Sequence, residues 1–220
     1  MAKSNTKKAD VLLSTSYFPP IKYFVEIIRH EKTVIDIHET YPKQTWRNRC
    51  NIYSANGNIS LTLPVEKPHG NHTKTSQIKI SKHAAWQKNH WRGIESAYRN
   101  SPYFLYYRDL AEHLIMESDS DFLYKRNDLI LKSILNEIGV RVEIEFTHDF
   151  VLDASEFDDY RFTISPKPRD KKGEKDFFFE AYYQVFGDKF GFLPNLSILD
   201  LLFNLGPEAL HYLEKMKPEN

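Results

Sequence analysis

The stretch from Val11 to Ile37 constrains the fold more than any other part of the chain. Val11 to Tyr17 is an apolar, β-leaning run, and Pro19-Pro20 follows at once. Proline has no amide hydrogen to lose in the first turn of a helix, so the pair marks a helix start. Phe18, Ile21, Phe24, Val25 and Ile28 then recur at spacings of three and four, which defines one buried helix face. Thr33 to Ile37 reads as a second strand. Strand, helix and strand in close succession point to a mixed α/β fold.

The rest of the chain extends that pattern. Arg49–Ser54 and Ile59–Val65 flank Asn56-Gly57, a strong hairpin signal. A polar loop at 66–76 leads to a short strand, Gln77–Ile80. Trp86, His90, Ile94, Ala97 and Tyr98 share a helical face, and Tyr103 to Met116 and Phe122 to Ile138 predict two further helices, the last ended by Gly139. Val140–Phe146 alternates as a strand, and Ser197–Asn204 and Pro207–Met216 read as two short helices separated by Gly206. Strands fall mostly early, so a central mixed sheet with a helical layer from 84 to 138 is expected. A chain of 220 residues supports one core, giving a single domain over 10–220. Residues 1–9 are expected to be a disordered polar tail, and 166–176, rich in lysine and proline, a flexible loop.

Charge and motif content narrow the function classes. Basic and acidic residues balance at 30 each, so bulk charge gives no reason to expect nucleic-acid binding; anion recognition must be local. The single cysteine, Cys50, excludes an intrachain disulfide and a multi-thiolate zinc site, and is read as a small buried hydrophobe. No apolar run approaches the roughly 20 residues of a membrane span, and a cytoplasmic location is expected. Glycine-rich phosphate loops and the G-x-S-x-G elbow are absent.

Asp119-Ser120-Asp121 has the D-x-D form of a metal-assisted sugar-nucleotide site, but directly precedes a helical run, where these residue types cap free amides. Histidines 69, 72 and 83 lie close in sequence without the fixed geometry of a helical metal site, so no metal ligands are assigned. His90 shares its face with Trp86 and Tyr98, either as a core histidine with one partner or as a general base lining a pocket.

Tyr41 to Arg49 is the most informative segment. Guanidinium groups grip phosphate or carboxylate, and aromatic rings stack on a base or cover a sugar face. Lys67 is placed to join Arg47 and Arg49. A charged hairpin with Trp46 in the core accounts for the same residues, and composition alone leaves both readings open.

Several motifs resemble those of the WbqC-like proteins. Tyr17-Phe18-Pro19-Pro20-Ile21-Lys22-Tyr23-Phe24 is similar to that family's Y-F-P-x-I-x-Y-F signature, and Trp46-Arg47-Asn48-Arg49 to its W-x-N-R motif. Leu61-Thr62-Leu63-Pro64-Val65 resembles its L-T-x-P-V strand, and Trp86 through His90, with Tyr98 and Pro102-Tyr103-Phe104, its W-x-x-x-H…Y…P-Y-F stretch. Leu196 to Asn204, followed by Gly206, is similar to its C-terminal helix. In two places the chain departs: Ser14 stands where the family often has Gln, and Ile37-His38 replaces a common aspartate pair.

The resemblance implies a role in bacterial surface-polysaccharide assembly, as an enzyme acting on a sugar or nucleotide sugar, with small-group transfer as the reaction type. It implies no particular cofactor. A shared site would comprise His90 as the proton carrier, with Tyr17, Trp46, Arg47, Asn48, Arg49, Lys67, Tyr98, Asp200 and Asn204 binding substrate. A non-catalytic scaffold with an Arg/aromatic interface is the alternative.

Overall fold

The computed structural model of the chain describes residues 10–82, 85–117, 120–166 and 178–216. The expected tail at 1–9, the expected loop beyond residue 166, His83 and Asp119 lie outside these residues. Strand β1 (Asp10–Ser14) leads to helix α1 (Ile21–Arg29) and strand β2 (Lys32–Asp36). β1 ends before Tyr17 because the chain turns there: Phe18 has φ +40°, and the Tyr17 amide donates to the carbonyl of Trp46 at 2.8 Å. Pro20 adopts the extended conformation that admits the helix.

The hairpin follows as β3 (Arg49–Ser54) and β4 (Gly57–Thr62), then the ribbon β5 (Val65–Glu66) and β6 (Lys79–Ile80). Three helices come next, α2 (Trp86–Tyr98), α3 (Phe104–Met116) and α4 (Leu123–Glu137), and then β7 (Glu143–Phe146) and β8 (Phe157–Asp159). The single turn α5 (Gly187–Phe190) precedes α6 (Ile198–Leu205) and α7 (Ala209–Lys215).

The molecule is mixed α/β around a central sheet of order β7-β2-β1-β8. Every neighbouring pair in that sheet is parallel, whereas the two separate ribbons are antiparallel. A helix between β1 and β2 enforces this, because parallel neighbours need a crossover. Val11, Leu12 and Leu13 have no exposed surface, so the central strand reads as a continuous apolar run rather than an alternating one. β8, unforeseen in the sequence, completes the far edge through Asp10↔Phe157 to Leu12↔Asp159.

α1 packs against α6 and α7, while α2 packs on α3 and β3, and α3 reaches α6. Ser197 joins these layers: its hydroxyl donates to the Phe18 carbonyl at 3.1 Å, and its amide donates to the Asn51 carbonyl at 2.9 Å. α4 packs on a 3-10 turn, Trp46–Asn48, that leads directly into the hairpin.

Candidate functional site

The register of the parallel sheet brings polar groups to one edge. Ser14 pairs with Asp36 at the carboxyl ends of β1 and β2, Thr147 follows β7, and Asp159 ends β8. In open parallel sheets this edge is where ligands bind.

Here it carries a buried charge network. Asp36 accepts from Arg161 Nη1 at 2.6 Å, from Thr147 Oγ1 at 3.2 Å and from the His38 amide at 2.8 Å. Arg161 also grips Asp159 through Nε and Nη2 (3.0 and 2.8 Å). Beside it, Arg47 donates Nε to Glu39 at 2.7 Å and Nη2 to Ser14 Oγ. Burial pushes the Glu39 carboxyl up, against the pull of Arg47. The acidic groups next to the Trp46–Arg49 turn are thus Asp36 and Glu39, on either side of Ile37-His38.

A cavity of about 400 Å³ opens over this network, lined by Glu39, Tyr41, Thr45, Phe150, Arg161 and Phe162 among others. Its volume falls in the usual range for small-molecule sites. The Arg161 guanidinium lies 5.3 Å from the ring centroids of both Phe150 and Phe162, which are about half exposed. Tyr41 is buried, and its hydroxyl has no hydrogen-bond partner among the described residues. Lys67 Nζ sits 4.8 Å from the Tyr41 ring centroid, and Arg49, close enough to act on the Tyr41 phenol electrostatically, has a buried Nε with no partner. Burial and the nearby Lys43 lower the Lys67 ammonium below its ordinary value. Two cationic side chains therefore stand beside Tyr41, a wall residue of an aromatic cavity that also holds a carboxylate.

The other residues expected at a shared site fall into separate buried clusters. Asn48 Nδ2 donates to the Leu63 carbonyl at 2.8 Å, and Trp46 is buried in its turn. Tyr17 is fully enclosed, its hydroxyl 3.0 Å from His90 Nδ1, while His90 Nε2 lies 3.2 Å from the Thr62 carbonyl. A carbonyl only accepts, so Nε2 carries the hydrogen and Nδ1 accepts from Tyr17. Burial lowers the imidazole to about 4 despite the Thr62 bond, so His90 is neutral at pH 7.

Tyr98, Asp200 and Asn204 form the third group. Asp200 Oδ2 accepts from the Tyr182 hydroxyl (2.5 Å) and from Gln184 Nε2 (2.8 Å), and the Asn204 amide donates to the Asp200 carbonyl. The Tyr98 hydroxyl accepts from the Tyr53 amide at 3.0 Å. Burial raises the Asp200 carboxyl against these hydrogen bonds.

Sequence reasoning missed Asp36, Glu39, Arg161 and Arg126. The last had a readable signal: Arg126 falls on the apolar stripe of Leu123, Asn127, Ile130 and Ile134. For Arg161 there was none, because its partners are 125 residues away and two residues away on a strand of low β-propensity.

A model of the WbqC-like protein family matches residues 15–165, from the end of β1 through the Arg161 network. Rv1507c, an uncharacterized protein of Mycobacterium tuberculosis (strain ATCC 25618 / H37Rv), is 27% identical over 229 residues, covering 94% of this chain and 97% of the relative. No solved structure shows a significant match.

Proposed function

The chain belongs to the WbqC-like protein family, and on that premise we propose that it is an enzyme of bacterial surface-polysaccharide assembly. It handles an activated or modified sugar and transfers a small group. The observation that carries this reading is the cavity at the carboxyl edge of the sheet, where a carboxylate, half-exposed aromatic rings and Tyr41, with Lys67 over its ring, meet. Arg49 and Lys67 hold a phosphate or carboxylate of the donor, and Phe150 and Phe162 cover its sugar or base. Glu39 is the group suited to carry the proton, since it lines the cavity while both ring nitrogens of His90 are bonded inside the protein. Tyr17 and His90 act behind the site, where the Tyr17 amide fixes the Trp46–Asn48 turn.

A thermal-shift screen of the full chain against nucleotide sugars tests this. A ligand at about a hundred times its dissociation constant adds about 2.7 kcal/mol, a rise of roughly 5–10 °C at this size. Arg49→Ala and Lys67→Ala should keep the unliganded melting temperature and lose most of that rise. If both variants respond like wild type, the cavity is not the site.

A second reading is a scaffold without a reaction. It is favoured by Leu105 and Tyr106, side by side on α3 and 81% and 70% exposed. Absence of any stabilising nucleotide sugar, with self-association or partner capture lost in Tyr106→Glu, would support it.

A further inference from the structure

A different cavity of about 330 Å³ is lined by Ile80, Lys82, Trp86, Met116, Asp121 and Arg126 among others. Arg126 is only 2% exposed. Its Nη2 donates to the carbonyls of Leu114 (2.8 Å) and Ile115 (2.6 Å) at the end of α3. That bond pair caps the helix and complements its dipole. It does not supply a counter-charge. Among the described residues Nε and Nη1 have no hydrogen-bond partner, and the guanidinium lies 4.8 Å from the Trp86 ring centroid.

Among the described residues no carboxylate pairs with it. Asp121, the acid in the cavity wall, is engaged at 2.9 Å by Lys82 at the rim. Tyr17 and His90, close enough to feel Arg126 electrostatically, are hydrogen-bonded to each other and carry no negative charge. A buried guanidinium with unused donors and no anion is costly, and its field is little screened.

We propose that this cavity is a binding site for a small organic anion carrying a phosphate or carboxylate group, with Arg126 as the charge that recognises it. Ile80, Trp86 and Met116 surround the apolar part of the ligand, and Lys82 at the rim offsets the repulsion of the anion by Asp121. The site is separate from the sheet-edge cavity and does not depend on the reading given for it.

The test follows the Nε–H resonance of Arg126 by NMR in the full wild-type chain, assigned through its scalar connectivity to the Arg126 backbone and checked by its absence in Arg126→Lys. Inorganic phosphate and butyrate are the two probes, each titrated at constant ionic strength against sodium chloride. Saturable movement of that resonance with either probe, absent with chloride, is the expected result; phosphate alone identifies a phosphate site and butyrate alone a carboxylate site. Lys82→Ala, a surface change that leaves the fold intact, should weaken the same titration several-fold. If neither probe moves the resonance beyond the chloride control, Arg126 serves only as the cap of α3 and the proposal fails. Because the decisive reading is made on wild type, a misfolding Arg126 variant would not rescue or obscure it.

Discussion

His90 shows how far a residue's identity falls short of its role. Its place on the face of Trp86 and Tyr98 was legible, but the choice between core histidine and general base was not, because it depends on the Thr62 carbonyl from a distant strand. The depressed value of about 4 has a thermodynamic consequence. The unfolded imidazole, near 6.5, binds a proton more readily than the folded one. The contribution from His90 is therefore full above pH 6.5 and is lost as the pH falls through about 4, a range of roughly 3 kcal/mol. Glu39 and Asp200, whose carboxyls are raised, act with the opposite sign over the acid range, so total stability does not isolate the effect. Denaturant melts of wild type and His90→Asn should differ in slope between pH 6.5 and 4, wild type losing stability relative to the variant as the pH falls. Parallel pH profiles would show that His90 is not held neutral by the fold.

At the scale of elements, the helices were read closely and the sheet only in part. The period of three and four residues is local, so α1, α2, α3 and α4 could be placed from their own apolar faces. Hairpin β3–β4 was legible for the same reason, its turn chemistry lying within the segment. β8 was not: Phe157-Asp158-Asp159 carries two residues that avoid strands, and only its parallel ladder with β1 makes it one.

Gly206, between α6 and α7, sharpens the contrast between turn residues. It has φ +56°, and a Cβ there would sit 2.4 Å from the Tyr103 ring. Gly57 also has positive φ, but a Cβ there meets nothing within 4 Å. Gly57→Ala should cost about 1 kcal/mol, from backbone strain alone. Gly206→Ala adds a collision with a packed ring and should cost about 3 kcal/mol or more. Equal losses in urea melts would mean that Tyr103 moves aside freely.

The whole molecule decides what no single segment can. The resemblance found in the sequence pointed to Tyr17, Trp46 and Arg47, and all three are buried in the structure. The cavity itself is assembled by residues near 40, 150 and 161 that meet only in the finished fold. Asp36 likewise depends on Arg161 as its buried counter-charge, and removing one partner of such a pair costs about 3–5 kcal/mol. A chain ended after Glu156 lacks β8, Arg161, α6 and α7, and should show neither a cooperative melt nor protease resistance. A folded product of that truncation would contradict the account of the sheet given above.

The parallel ladder between β1 and β8 also sets a schedule for biosynthesis. β2 leaves the ribosome soon after β1, but the other side of β1 has no neighbour until residue 159 is made. At ordinary elongation rates of about 5–20 residues per second that interval is roughly 7 to 30 s. For its duration the most apolar strand of the protein presents an open edge, the kind of surface that recruits other chains. Yield of this protein in a cell therefore depends on what shields that edge during translation as much as on the stability of the finished fold.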